Sequence, residues 1–245
     1  MDSGFYAACT ALVSRTQALD TIANNLANTG TVGYLAQQNV FSSMLASAGT
    51  PLSSPINQAI NSYGLLSGTT LDLSQGAQQK TGNDLDLAID GSGFFVVQTA
   101  AGTMYTRNGS FRVSSGGQLT TANGDLVMGT QGQIAIVPGP ISISRDGTIS
   151  TNGAIEGKLK LVQFPRGTAL SSAGETYYSS PPASAIETTD SSITQGALES
   201  SNVNPISSIV ELISAQRSAE MMQRALSMFN SEMDKTATQE LPKIG

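Results

Sequence analysis

The sequence predicts an α+β protein whose N- and C-terminal helices pair as a coiled-coil stem beside a central, mainly antiparallel β domain. Three observations carry that reading. Apolar residues recur with a seven-residue period near the N-terminus, they do so again near the C-terminus, and the middle of the chain consists of short alternating runs punctuated by glycine turns. The implied organisation is residues 1–34 as the N-terminal helix of the stem, 35–70 as an extended linker, 71–195 as the β domain and 196–245 as the C-terminal helix of the stem.

The N-terminal helix is read from Phe5, Ala8, Leu12, Leu19, Ile22 and Leu26, spaced by threes and fours with Arg15 interrupting the series. That spacing keeps one stripe on a single side of a helix and offers it to a partner helix. Arg15 in the seam and the small Ala8 make the helix marginal when alone. The C-terminal helix shows the same device without a charged interruption, in Leu212, Ala215, Ala219, Met222, Leu226, Phe229 and Met233. Asn204 followed by Pro205 reads as an N-cap and a proline at the first helical position, where its missing N–H costs nothing. A single stripe of this kind usually marks a helix packed on its own domain. Two of them, at the two chain ends with no such period between, are most simply satisfied by each other.

Leu85-Asp86-Leu87-Ala88-Ile89 alternates as a half-buried strand would, and Phe94-Phe95-Val96-Val97 follows the turn Gly91-Ser92-Gly93. Hairpin turns are read at Asn108-Gly109, joining Tyr105–Arg107 to Ser110–Val113, and at Asn123-Gly124, Asp146-Gly147 and Asn152-Gly153. Lys158–Phe164 is the last strong strand, stopped by Pro165. Residues 42–70, rich in Ser, Gly and Asn with Pro51 and Pro55, read as linker, and 166–195 does so more weakly.

Composition excludes several functions. Lys and Arg total 12 against 18 Asp and Glu, and no basic run occurs, which argues against sequence-independent nucleic-acid binding. With no histidine, a Ser-His-Asp triad, a His-ligated zinc site and an imidazole pH switch are all impossible. The one cysteine, Cys9, permits no disulfide within the chain. Asp84, Asp86 and Asp90 before Gly91 have the spacing of a calcium loop, but Leu85, Leu87 and Ile89 between them alternate as a strand and no bidentate glutamate follows. No metal or other cofactor is therefore expected, and the aspartates read as a solvated strand face. Charged residues are only 12% of the chain, so its surface is polar yet nearly uncharged and repels copies of itself weakly. Met1-Asp2-Ser3-Gly4 opens no signal peptide of the ordinary kind, and no segment reaches transmembrane length. By these rules alone the chain reads as cytoplasmic.

The segment Ala18–Tyr34, ALDTIANNLANTGTVGY, resembles the N-terminal signature of flagellar rod and hook proteins. Thr81–Phe95 and Tyr105–Phe111 resemble the entry to that family's β domain, and Gln195–Pro205 resembles the approach to its C-terminal helix. The short β domain, the Ser144–Thr148 turn and the Leu161–Pro165 strand are most similar to the proximal rod type; the distal type is the near rival, which Ser214–Glu220 also suits. The resemblance implies a structural subunit and no enzyme. Its partners would be itself, other rod subunits and the flagellar type III export apparatus, with no nucleic acid and no small-molecule substrate. It also implies export without a cleaved signal peptide to the periplasmic rod of the basal body, which overrides the cytoplasmic reading. The seam residues Phe5, Leu12, Leu19, Ile22, Leu26, Leu212, Met222, Leu226, Phe229 and Met233 would carry assembly. Asn24, Asn25, Asn28, Gly33, Tyr34, Asn202 and Asn204 are the signature positions; crowded amides are poor choices inside an isolated helix and point to side-chain hydrogen bonds at a helix end or subunit contact. The alternative class, a carbohydrate- or protein-binding β module, would place function in the loops of residues 85–165.

Overall fold

Two long helices and a set of antiparallel sheets make up the computed structural model, which describes residues 2–42 and 65–239 apart from 166, 175, 182, 183 and 189. At residues 2–8, 40–42, 65–68, 229, 230 and 232–239 the description is of the backbone alone. Helix α1 is Asp2–Ala27 and helix α2 is Pro205–Gln239, so the fold is α+β and α2 begins at the proline that the sequence marks.

The chain divides into two units. One comprises Met1–Leu26, Gln37–Thr69 and Pro205–Gly245, and the other, the β unit, comprises Ala27–Ala36 and Thr70–Asn204. These boundaries differ from the expected ones in three places. Residues 27–36, expected in the stem and linker, are part of the β unit. So are residues 196–204, because Ala197–Glu199 pairs as a strand with Gln78–Lys80. The stretch expected as linker is structured at both its ends, where Gln37–Ser42 and Leu65–Leu71 pair as a two-stranded sheet; Pro51 and Pro55 lie outside the described residues.

The β unit is organised around Phe94–Thr99. One edge pairs with Gly102–Thr106, while the other edge is shared between Leu161–Gln163 and Leu126–Gly129. Its side chains alternate between two cores. Phe95 and Val97 join Leu87, Ile89, Phe111, Val127, Ile149 and Leu161 in one, and Phe94 and Val96 join Leu35, Val162, Leu170 and Tyr178 in the other. A strand buried on both faces has no use for polar alternation, which explains its continuous apolar run. The neighbouring Leu87–Asp90 is likewise buried at Leu87, Ala88 and Ile89 rather than half-buried, and it pairs with Ser192–Gln195. Asp86 is buried too, accepting a hydrogen bond from Asn83 at 3.0 Å, so the aspartates do not form one solvated face.

The turns at Asn123-Gly124, Asp146-Gly147 and Asn152-Gly153 connect paired strands as read. Asn152 and Gly153 both have positive φ, 53° and 83°, the type I′ geometry that matches strand twist. Asn108-Gly109 does something else. Phe111–Val113 pairs forward with Leu119–Thr121, not back with Tyr105–Arg107. Gly109 instead lies against Leu87, whose N–H donates to the Gly109 carbonyl at 3.0 Å. Beyond Pro165, four further short strands, Ser171–Ser172, Tyr177–Ser179, Ile186–Glu187 and Ser192–Gln195, occupy the stretch read as weak linker.

A Cβ at Gly109 would stand 1.7 Å from the Leu87 carbonyl oxygen, whereas one at Gly30 would meet nothing within 4 Å. Gly109→Ala is expected to cost about 3 kcal/mol in urea denaturation, the upper range of overpacking, and Gly30→Ala to stay within about 0.5 kcal/mol.

Candidate functional site

The signature positions divide between two structures. In α1, Asn25 faces the first residue of the Gln37–Ser42 strand and imitates a strand neighbour: its Nδ2 donates to the Gln37 carbonyl at 2.8 Å and its Oδ1 accepts the Gln37 N–H at 2.9 Å. One turn earlier the Thr21 hydroxyl lies 3.1 Å from the Gln17 carbonyl and 3.0 Å from Asn39 Oδ1. Asn24 is on the exposed side of the helix. The expected seam residues Leu12, Leu19, Ile22 and Leu26 are half-buried and Arg15 is exposed. The most covered stripe is the adjacent one, Ser14, Ala18 and Thr21 at 6–8% exposure. The hydroxyl of Thr21 is satisfied locally. On α2 the expected stripe is the covered one: Leu212, Ala215, Met222 and Leu226 are half-buried and Ala219 is buried. Side chains of Phe5, Phe229 and Met233 lie outside the described residues.

The other signature positions meet in the β unit. After α1 the chain turns at Asn28, whose Oδ1 accepts the Thr31 hydroxyl at 3.0 Å, and then crosses the unit as a strap, Gly33–Ala36. The strap is bonded at nearly every polar group. Gly33 N–H donates to the Glu199 carbonyl at 2.8 Å, Leu35 N–H to the Tyr178 hydroxyl at 2.8 Å and Ala36 N–H to Asn202 Oδ1 at 2.7 Å. The Tyr34 carbonyl accepts from Asn202 N–H at 3.3 Å, and the Ala36 carbonyl from Asp72 N–H at 2.8 Å. Tyr34 and Leu35 are both buried. Burial pushes the Tyr34 phenol up, and the hydrogen bond with Asn28 opposes that shift.

Beneath the strap lies an ion pair at 1% side-chain exposure, Arg107 Nη1 to Glu199 Oε2 at 3.1 Å. The other carboxylate oxygen, Oε1, accepts Gly76 N–H at 3.0 Å. The guanidinium stands over the Phe94 ring, 4.9 Å from its centroid, and Phe94 meets Tyr178 edge-on at 6.0 Å. Two glycines are required here. A Cβ at Gly33, which also has φ of 70°, would lie 2.2 Å from Asn108 N, and one at Gly76 would lie 1.9 Å from the Ser200 carbonyl oxygen. Asn202 Nδ2 completes the arrangement by donating to the Asp72 carbonyl at 2.9 Å and the Ser74 carbonyl at 3.0 Å. Asn204 is exposed and immediately precedes α2. Arg107, Glu199 and Tyr178 are absent from the sequence-derived site. The available signal was one acid and one base inside motifs otherwise poor in charge, and their partnership across 92 positions has no local signature.

Elsewhere, a cavity of about 210 Å³ is lined by Thr130, Asp146, Lys158, Leu159, Leu161, Glu187, Thr188 and Ser191. Lys158 and Asp146 form an exposed ion pair at 3.3 Å across part of it, and hydrogen bonds from Thr148 hold the Asp146 carboxyl below its ordinary range. Among the described residues no group of His, Cys, Asp and Glu could hold a metal ion.

Removing one partner of a buried ion pair leaves the other charge uncompensated, so Glu199→Gln is expected to lower stability by about 3–5 kcal/mol in urea. Adding Arg107→Met to it should recover at least about 1 kcal/mol. Tyr178 gives a pH signature. Burial raises its hydroxyl pKa, against the lowering effect of the Leu35 N–H, so its stability contribution is complete below the ordinary tyrosine range and is lost as pH rises beyond about 10. Tyr178→Phe should therefore be less stable at pH 7 by about 1–2 kcal/mol, through the unpaired Leu35 N–H, with the gap narrowing in thermal melts above pH 10.

Three family matches fall on these elements. Residues 5–34, α1 and the first half of the strap, match the flagella basal body rod protein family. Residues 88–155 match the flagellar hook protein FlgE/F/G D1 domain, and 194–240 match the C-terminal region of the flagellar basal body rod FlgEFG proteins. Among individual proteins, the flagellar basal-body rod protein FlgF of Caulobacter vibrioides is 33% identical over 250 residues, with all of both chains covered. FlgF of Mesorhizobium japonicum is 31% identical over 90% of each chain. FlgG of Buchnera aphidicola subsp. Acyrthosiphon pisum is 34% identical over 89% of this chain and 92% of its own. Full-length identity at this level, with family matches on both helices and on the β unit between them, makes the chain a member of the flagellar basal-body rod protein family.

Proposed function

We propose that the chain is a structural subunit of the proximal rod, the FlgF type, that polymerises through its paired terminal helices and passes torque along the flagellar axis. It acts as building material and not as an enzyme. The observation that carries polymerisation is a second apolar stripe on α2. Ile206, Val210, Ile213, Met221 and Met228 are 45–75% exposed, on the side that helical periodicity sets opposite Leu212, Ala215, Ala219, Met222 and Leu226. A monomer gains nothing from two apolar sides on one helix, whereas a subunit surrounded by others can bury both. The covered stripe then serves pairing with α1, and the exposed one serves neighbouring subunits of the rod, whether copies of this chain or related rod proteins. Asn204 and Pro205 set where the helix begins, and the weak charge of the surface keeps repulsion between copies low.

The proximal type is supported by the match to FlgF over the whole of both chains. The distal type remains the second reading, supported by FlgG relatives of 34% identity over 89% and 92% of the chain. In either place the subunit belongs to the periplasmic part of the basal body, reached through the flagellar type III export apparatus without a cleaved signal peptide. No helix among the described residues is long and apolar enough to cross a membrane.

The test is deletion of the gene followed by electron microscopy of isolated basal bodies, with complementation by the full chain or by variants. Deletion should remove the rod beyond its base together with the hook, and the full chain should restore both. Leu19→Asp, Leu226→Asp and Ile213→Asp should each fail to restore rods while the purified variants keep the β unit folded by urea denaturation. Intact rods in the deletion strain would overturn the assignment, and rods in the stripe variants would overturn assembly through the helices.

A further inference from the structure

The chain leaves the β unit at four points. They are Ala27 toward α1, Ala36 toward the Gln37–Ser42 strand, Thr70 where the paired strand Leu65–Leu71 returns, and Asn204 before α2. Asn202 touches the passages behind three of them: the strap through Ala36 N–H and the Tyr34 carbonyl, the returning segment through the Asp72 and Ser74 carbonyls, and its own passage toward α2. A primary amide can do this because it carries an acceptor and two donors without charge. An aspartate there would turn a carboxylate oxygen toward two carbonyls, and an apolar residue would leave an N–H and two carbonyls unpaired. Glu199 repeats the arrangement deeper in the unit, with its backbone carbonyl on the strap through Gly33, one carboxylate oxygen on the returning segment through Gly76, and the other on Arg107 in the core.

We infer that Asn202 and Glu199 form a force-sharing clamp, a conformational device that makes the chain's exits from the β unit open together or not at all. The source of the force rests on the rod-subunit reading above; the clamp itself rests on the geometry. Pull applied through α1 reaches the β unit by way of the strap, and pull through α2 by way of residues 200–204. Without cross-links each passage could detach by a local opening, since local openings span energies from near zero up to that of global unfolding. With them, detaching the strap also exposes Asn202, the Asp72 and Ser74 carbonyls and, beneath these, the buried Glu199 carboxylate. Each passage is thereby raised toward the stability of the core.

Asn202→Asp tests this in the full-length chain because it keeps the shape and removes both amide donors, and Asn202→Ser provides a milder variant should the first not fold. Hydrogen exchange followed by mass spectrometry should show peptides covering residues 33–36 and 72–76 exchanging about tenfold faster, the equivalent of one net hydrogen bond, in both segments together. Peptides covering Phe94–Thr99 and Thr148–Thr151 should be unchanged. Unchanged exchange in the strap, acceleration in only one of the two segments, or a uniform rise across the β unit would each overturn the clamp. In cells, basal bodies carrying Asn202→Asp should form rods in normal number that break at lower shear. Rods as shear-resistant as the unsubstituted ones would overturn force sharing and leave rod membership standing. Failure of the unsubstituted chain to restore rods to a deletion strain would overturn the rod reading and leave the exchange result intact.

Discussion

A charge pair at 1% exposure, Arg107 with Glu199, is the interaction around which the β unit is arranged. Withdrawing two ions from water costs several kcal/mol each, and their attraction repays this only where the remaining donors and lone pairs are also used. Arg107 Nε and Nη2 are buried without a hydrogen-bond partner, whereas on the carboxylate side that requirement is met and reaches outward. The second carboxylate oxygen takes Gly76 N–H, which is possible only because a glycine lets the backbone approach Ser200. The guanidinium needs a face to lie on, and Phe94 provides it from a strand buried on both sides. The strap closes over the pair, and Gly33 must lack a side chain to pass Asn108. Residues far apart in the chain are thus constrained by one desolvated pair, including two whose only qualification is to have no Cβ.

In both units, amides and hydroxyls perform the cross-linking that ion pairs perform in more highly charged proteins. Asn25 joins α1 to Gln37 with two bonds, Asn202 joins three passages, and Tyr178 accepts from Leu35. These groups fix geometry without adding net charge, and they are insensitive to salt in a way that exposed ion pairs are not. For a member of a rod family, which associates with other rod components, neutral cross-links inside and a weakly charged surface outside serve the same end. Specific geometry is held within each unit, and little repulsion opposes association.

What could be read directly from the chain was what is local. The proline that opens α2, the covered stripe Leu212 to Leu226, and the turns at Asp146-Gly147 and Asn152-Gly153 each depend on a handful of consecutive residues or one helical period. Asn108-Gly109 has the same dipeptide chemistry as a hairpin turn, yet here the glycine serves a contact with Leu87 that only the tertiary fold creates. Alternation at Leu85–Ile89 suggested one wet face, but Asp86 and Ala88 on that face are buried. On α1 the large residues drew the stripe to Leu12, Leu19 and Ile22, whereas the most covered positions are Ser14, Ala18 and Thr21. The strap residues Gly33 and Tyr34 and the bridging Asn202 stood out through family resemblance alone, and nothing in that resemblance distinguished their meeting in the β unit from the helical role of Asn25.

The two units differ in how they are stabilised, and this bears on how such a protein is put to use. Among the described residues, both apolar clusters of buried residues lie in the β unit, which holds two-sided burial, an ion pair and closed turns of its own. Helix α2 instead turns large apolar side chains outward along much of its length. An isolated helix gains little from propensity and depends on packing, so its stability grows with whatever partners bury that face, and association is then thermodynamically part of folding. A chain built this way keeps its buried clusters in the β unit and leaves an apolar face of α2 uncovered. The cross-links at the exits of the β unit follow from the same division. Where a stable part and a partner-dependent part share one chain, the connections between them are the places most exposed to local opening, and it is there that the buried carboxylate and the bridging amide are found.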